Sequence, residues 1–356
     1  MVADVTVIGA GVIALACAAE LADRGMRVRL IGTSRAGEAS AAAAGMLAPS
    51  IGAEAGPAHD FAVASRDRYP GYLAALEART AHAVPLNTLG ILELALEEHG
   101  AERLRADVSG PASWLDRAEL TREEPELAHA SGAVFHPGDG SVEPLALMDA
   151  LRALISRHKN VTTASENVCA VNATDLGCNV LTDQESRYAS DQVVLAAGAW
   201  TPLIQGTGPS VAAVQPLRGQ MLAFAGRPVR HVVYGSGGYL VPKTDGSTIA
   251  GSTSEHAGFI AETTEAGLAS IRVAAERLCP ALVGAAIAAS WAGLRPVTPD
   301  FRPIIGRDPE RSRVIYACGH SRNGILLTPL TGEVVADLAT GTEPRYDLRQ
   351  FRPGRF

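Results

Sequence analysis

Gly9, Gly11 and Ala14 stand in a GxGxxA spacing directly after the apolar run DVTVI. Between a strand and a helix, that pattern is the context of a dinucleotide site. Gly9 permits the tight turn, Gly11 lets the backbone approach a pyrophosphate, and Ala14 keeps helix and strand close. Val12 and Ile13 open a helix whose N-terminus is free to hold the phosphates. The acid usually found about 20 residues further on, at the end of the second strand, is missing. Gly32 stands there, followed by Thr33, Ser34 and Arg35. A carboxylate at that point would accept from the ribose hydroxyls in a charge-assisted bond worth about 1.5–3 kcal/mol, so its loss is expected to weaken cofactor binding by about one to two decades. On that reasoning Gly32→Glu should tighten cofactor retention. Small polar residues beside Arg35 would equally suit the 2′-phosphate of NADP, so the motif alone leaves FAD and NADP open.

Two residues in the second half of the chain suit the recognition of a small acid. Arg295, next to Pro296, offers a planar fork matched to a carboxylate; the competing reading is a structural arginine in an ion pair. Tyr239 lies in the Gly-flanked run YLVP, and its hydroxyl would reach the same carboxylate unless it is a half-buried sheet tyrosine.

These residues need elements to hold them. Asp4 to Ile8 reads as a strand, Val12 to Arg24 as a helix closed by Gly25, and Met26 to Ile31 as a second strand, together one right-handed βαβ unit on a parallel sheet. Gly37 to Pro49 is rich in small residues and reads as a ligand-contacting loop and helix start. His59 to Thr80, Arg117 to Glu126 and Glu143 to His158 read as helices, and Asp191 to Trp200 as a buried strand running into Ala-Ala-Gly. Val214 to Gly251 reads as antiparallel strands, Thr264 to Leu278 as a helix, Arg313 to Cys318 as a strand, Gly319 to Gly324 as a loop and Pro329 to Leu338 as a helix.

The chain has 356 residues, of which 47% are apolar and 19% charged, which excludes intrinsic disorder. At this length two domains are the expectation. A net charge of −7 and the absence of any basic stripe argue against nucleic acid as a partner. The five cysteines are widely spaced with no CxxC pair, which speaks against a zinc ribbon or a disulfide framework and fits a reducing cytoplasm. No signal-like leader and no uninterrupted apolar span is visible, so the chain reads as soluble, untargeted and cytoplasmic, with no membrane association.

Eight segments carry a family likeness: VIGAGVIALA at the start, SAAAAGMLAP around Met46, VVLAAGAW around Gly198, PLRGQM around Gly219, GGYLVPK around Tyr239, GSTSEHAG around Ser252, WAGLRPVTPDFRPIIGR around Arg295 and CGHSRNGILLTP around Arg322. On these the chain resembles the glycine oxidase (ThiO) branch of the D-amino-acid oxidase family of flavoproteins. The resemblance implies an α/β fold with a discontinuous, Rossmann-like FAD-binding domain (1–84, 142–207 and 299–356) and an α+β substrate domain with a mainly antiparallel sheet (85–141 and 208–298). It implies non-covalent FAD, held by Gly9, Gly11, Val12, Ile13, Ala14, Gly32 and Thr33, by Ser40, Ala44, Gly45 and Met46, by Val168, Ala197, Gly198 and Trp200, and by Gly319, His320, Ser321, Asn323, Gly324, Ile325 and Leu326.

The activity implied is oxidative deamination of glycine, sarcosine or a small D-amino acid by hydride transfer from Cα to flavin N5, giving an imine, then the 2-oxo acid and ammonia, with dioxygen reduced to peroxide. Arg295, Tyr239 and Arg322 are the residues implied at the substrate. His320 is set aside as a general base, because such a transfer needs only a neutral amine and alignment. The helix starting near Thr328 and Pro329 is expected to stabilise negative charge on reduced flavin with its N-terminus. Gly237 and Ser254 stand where some relatives carry larger side chains, so a substrate bulkier than glycine is possible. Related sarcosine oxidases hold flavin through a cysteine near the region of Arg295; AGLRPVTPD has none. The partners expected are the amino acid, dioxygen and further copies of the chain, in a thiamine-thiazole supply or amino-acid tailoring role. The alternatives are a related flavin enzyme with a bulkier substrate or another electron acceptor, an NADP enzyme using Arg35, and a flavin-binding subunit without catalysis.

Overall fold

A computed structural model describes residues 3–52, 55–235 and 237–356. The first strand, β1 (Ala3–Ile8), lies mid-sheet between β2 (Val28–Ile31) and the strand Arg187–Leu195, parallel to both. Helix α1 (Val12–Asp23) connects β1 to β2, and every residue of it except Glu20 and Asp23 is buried. A helix apolar all round belongs in a core. Its small side chains let two others close on it, Pro144–Arg157 and Thr328–Thr340. At Gly332 a Cβ would stand 3.1 Å from the Ala16 carbonyl, so the second crossing depends on that glycine. Val161–Ala164 extends the sheet beyond β2, and Val314–Cys318 joins the far edge of Arg187–Leu195 in parallel. The α/β Rossmann-like class expected from the GxGxxA unit is therefore the fold observed.

A second sheet runs in the order Ile287–Val297, Gln215–Ala225, Ser247–Gly251, Gly238–Pro242, Val232–Gly235, Ile91–Ala95, Gly132–His136, Ser113–Asp116. Its pairs are antiparallel except Val232–Gly235 with Ile91–Ala95. The helix Glu265–Leu278 packs its Ile271, Ala275 and Leu278 on one face against Leu222, Phe224 and Leu240. Arg295 and Pro296 fall inside the strand Ile287–Val297. That strand is the sheet's edge, where a missing N–H breaks no ladder. A small third sheet of Met46–Leu47, Gly140–Val142 and Leu86–Asn87 lies between the other two in sequence.

The stretch read as one helix from His59 to Thr80 is two, Pro57–Asp67 and Tyr69–Thr80. Pro70 has no N–H to continue the first. Arg117–Glu123 ends earlier than expected because Pro125 follows, which disfavours helical backbone in the residue before it. The hairpin Val168–Thr174 with Gly177–Thr182 and the helix Glu98–Ala106 are additional elements.

Candidate active site

A cavity of about 1120 Å³ runs from the loop after β1 to the edge of the second sheet. Of the residues expected at cofactor or substrate, all line it except Ala14, which is fully buried. At Gly9, φ is 138°, and a Cβ would stand 2.3 Å from the Ala196 carbonyl oxygen and 3.1 Å from the Ala14 Cβ. No side chain fits there, and Ala14 is small for the same close approach. The Ser40 hydroxyl accepts the Val12 N–H at 3.1 Å and leaves a Cβ at Gly11 only 3.0 Å of room. Gly45, with φ 92°, brings the turn before Met46 so close to the neighbouring strand that a Cβ would meet the Val142 carbonyl at 2.0 Å. These glycines form a cradle at which backbone alone meets a ligand.

The expectation for Gly32 is corrected here. A Cβ at this position would lie 2.5 Å from the Gly9 carbonyl carbon, 2.6 Å from its oxygen and 2.9 Å from the Ala10 nitrogen. The ends of β1 and β2 are pinched together on two glycines, so a carboxylate on Cβ has no place to start. Gly32→Glu is therefore expected to loosen the cofactor rather than tighten it, with about 1–3 kcal/mol lost to overpacking. The check is the visible-to-ultraviolet absorbance ratio of the purified variant together with its melting temperature. The carboxylate that does line the cavity from this loop is Glu38, whose Oε1 accepts the Arg35 N–H at 2.9 Å. Arg35 itself is engaged, giving Nε to Asn167 Oδ1 at 3.0 Å and lying 5.4 Å over the Trp200 ring.

The helix Thr328–Thr340 does not itself reach the cavity. Thr328 is fully buried and gives its N–H to the Ile325 carbonyl at 3.1 Å, and the wall ends at Leu326. The preceding loop supplies donors instead. Among the described hydrogen bonds none uses the N–H of Gly324, Ile325 or Leu326, all on the wall. Amides without a partner on a cavity wall suit an acceptor. His320 sits in this loop at 3% exposure, with Nε2 3.2 Å from Thr331 Oγ1. Burial pushes its pKa down to about 3, so the ring is neutral and a poor proton acceptor.

At the other end of the cavity, Arg295 crosses Gly219 of the facing strand, where a Cβ would lie 2.3 Å from Nη2. Its Nη1 donates to the Thr253 carbonyl at 3.1 Å and its Nη2 to Ser252 Oγ at 2.6 Å. Among the described residues no carboxylate pairs with it, so the ion-pair reading of Arg295 does not hold. Tyr239 stands beside it, its hydroxyl 3.3 Å from Met221 Sδ. Burial raises the phenol pKa and the nearby guanidinium pulls it back, the first effect being larger, so the hydroxyl keeps its proton and can donate. Arg322 is exposed on the wall with Nη2 on the Ile51 carbonyl at 3.2 Å. The loop carrying Ile51 is held in turn by buried Asp139, which accepts the Ser50 N–H at 3.1 Å and pairs with Arg66 at 2.9 Å.

Met221, Tyr234 and Ser252 also line this end and were not singled out from sequence; Tyr234 is the register partner of Tyr239 across their hairpin. Lys243, 7% exposed, reaches the Ala44 carbonyl at 3.2 Å and Glu143 at 2.7 Å, tying the turn before Met46 to the second sheet. No cluster of potential metal ligands occurs among the described residues.

A glycine cradle on a Rossmann-like sheet, open to an arginine without a carboxylate partner among the described residues on a mainly antiparallel one, is the arrangement of a dinucleotide-binding protein with a site for a small acid. The model of one such family, FAD dependent oxidoreductase, matches residues 4–338. The glycine oxidase of Geobacillus kaustophilus is 34% identical over 98% of this chain and 96% of its own length. Its solved structure superposes with a TM-score of 0.91, covering 99% of both chains. A bifunctional protein ThiO/ThiG from Synechocystis is 36% identical over 99% of this chain, which spans only 54% of that relative. The chain belongs to the FAD-dependent oxidoreductase family. Its cofactor is accordingly FAD, and the glycine cradle, the free loop amides and the size of the cavity fit that group; the NADP alternative is set aside.

Proposed function

We propose that this chain oxidatively deaminates glycine and other small amino acids, sarcosine and D-alanine among them. The observation that carries the reading is Arg295: a half-buried guanidinium with no acidic partner among the described residues, lining the same cavity as the GxGxxA cradle. An uncompensated cation in such a place is stable when an anion arrives to pair with it.

Bound FAD would supply the two-electron chemistry, accepting a hydride from the substrate Cα that, with the proton the amine gives up as the imine forms, would reduce dioxygen to hydrogen peroxide. The protein's own residues bind and orient. Arg295 receives the carboxylate on the edge not occupied by Ser252 and Thr253, and the Tyr239 hydroxyl donates to the same group. Fixing one end of so small a molecule fixes the direction of its Cα–H bond, which is where positioning contributes most to rate. Neutral His320 takes no proton. The amides of Gly324 to Leu326, which no described hydrogen bond uses, would serve to hold negative charge that develops on the cofactor. The imine released is hydrolysed to the 2-oxo acid and ammonia, or methylamine where sarcosine is the substrate.

Room beyond glycine is supported by Gly237 and Ser254, both on the cavity wall, and by the absence of any contact closer than 3.6 Å for a Cβ at Gly237. Non-covalent attachment is supported by the cysteines. Cys318 is the one on the cavity wall among the described residues, and burial raises its thiol to about 12, far from the reactive thiolate. Strand membership supports the two-domain partition set out from sequence, since each of the two eight-stranded sheets draws its strands from the segments assigned to it, while the small third sheet joins Met46–Leu47 of the first domain to Leu86–Asn87 of the second.

The test is anaerobic mixing of the yellow protein with glycine, sarcosine and D-alanine. Bleaching of the flavin bands by glycine is the expected result. Bands that stay unchanged with all three compounds, in protein that chemical reductant bleaches, would contradict the proposal.

A further inference from the structure

We propose that Gln220 and Thr253, neither of which lines the cavity, are positioning residues that set the plane of the Arg295 guanidinium. The proposal rests on the reading of Arg295 as the carboxylate anchor. Gln220 follows Gly219 on the strand Gln215–Ala225, so the two residues point to opposite faces. Gly219 faces Arg295; Gln220 is fully buried on the other side. Its backbone N–H donates to Thr253 Oγ1 at 2.9 Å. Its side-chain amide is satisfied from both ends, Oε1 accepting the Thr264 N–H at 2.8 Å and Nε2 donating to Glu255 Oε1 at 2.8 Å and Thr264 Oγ1 at 3.1 Å. The amide has no freedom to move, because the start of the helix Glu265–Leu278 closes on it: a Cβ at Gly267 would stand 2.2 Å from Nε2.

Arg218 completes the clamp. Its N–H and carbonyl exchange hydrogen bonds with Glu255 at 2.9 and 3.0 Å, and its Nε donates to Glu255 Oε2 at 2.6 Å. The segment from Ser252 to Glu255 is therefore laid against the strand as a short added rung. From that rung Ser252 Oγ and the Thr253 carbonyl take the two bonds that orient Arg295. With Gly219 beneath and the rung holding both Nη1 and Nη2, the guanidinium is fixed in one orientation on the cavity wall. The Thr253 hydroxyl is the link: without it, the Gln220 N–H is buried and unpaired, and the Thr253 carbonyl loses its tether. Unpaired buried donors are costly, so the rung is expected to shift toward another arrangement.

The experiment compares Thr253→Val, which keeps shape and removes the hydroxyl, with Thr253→Ser, which keeps the hydroxyl, both as flavin-loaded protein. The probe is acetate, which is glycine without its amine. Its Kd is read from the flavin difference spectrum and by calorimetry, beside KM and kcat for glycine and the melting temperature. Thr253→Val is expected to raise the acetate Kd and the glycine KM by about tenfold, with kcat and flavin content little changed, and Thr253→Ser to restore both. Gln220→Met, which breaks the clamp from behind, is expected to move the acetate Kd in the same direction and covers the case of a Thr253→Val protein that does not fold. Variants that melt lower yet keep the parent Kd for acetate and KM for glycine would overturn the positioning role. A parent protein that binds no acetate and is not bleached by glycine would instead remove the reading of Arg295 on which the proposal stands.

Discussion

Replacing Arg295 by methionine is expected to lower kcat/KM for glycine by about 30- to 4000-fold while the purified protein stays yellow. The magnitude is that of removing one partner of a desolvated charge pair, about 2–5 kcal/mol, at 1.4 kcal/mol for each factor of ten. Methionine fills much of the space above Gly219, so the sheet keeps its packing and the loss is one of recognition. Flavin is retained because the cradle at Gly9 and Gly11 lies at the other end of the cavity. Steady-state kinetics with the flavin-to-protein ratio measured on the same sample check both halves. A colourless variant, or one with the parent's kcat/KM, would remove Arg295 from the role given to it.

Gly9→Ala is expected to yield protein largely without flavin. The added methyl would stand 2.3 Å from the Ala196 carbonyl oxygen and 2.8 Å from its carbon, both backbone atoms of the adjoining chain, and φ at this residue is 138°. Backbone strain of this kind costs about 1–3 kcal/mol, and overpacking against atoms that cannot rotate away costs about as much again. The turn must retreat from the strand end, and the amides that follow Gly11 retreat with it, so the FAD Kd is expected to rise by at least about tenfold. Gly25→Ala is the control. It also has positive φ, 85°, but a Cβ there meets nothing within 4 Å. It should lower the melting temperature slightly and leave the flavin content unchanged. Equal flavin content in the two variants would contradict this account of the cradle.

What could be read from the chain and what could not divide along physical lines. The βαβ unit was legible because a continuous apolar helix between two short strands, punctuated by Gly9, Gly11 and Gly25, has few other ways to fold. That Arg295 and Tyr239 would line one cavity was legible through the family resemblance, since residue type alone left a structural arginine and a sheet tyrosine equally open. The contact between Gly9 and Gly32 was not, since nothing in a linear pattern measures how closely two strand ends approach, and so a rule about an acid at position 32 led to the expectation for Gly32→Glu that this close approach opposes. The slot at Gly219 and the clamp through Gln220 were hidden for a related reason. They depend on the register that sets Leu217 opposite Arg295 and on a chain segment, Ser252 to Glu255, that returns to the strand from another part of the sheet. Gly324, Ile325 and Leu326 were expected at the cofactor, but the stabilising donors were placed on the next turn, because a sequence marks where proline permits a helix to begin, here Pro329, and leaves unmarked which amides remain free.

The most direct measurement is diffraction from crystals of the flavin-loaded protein soaked with acetate. The account predicts the carboxylate on the free edge of the Arg295 guanidinium, within hydrogen-bond distance of the Tyr239 hydroxyl, with Ser252 and Thr253 still holding the other edge. Acetate seated on Arg322 instead, with Arg295 bonded only to Ser252 and Thr253, would contradict it.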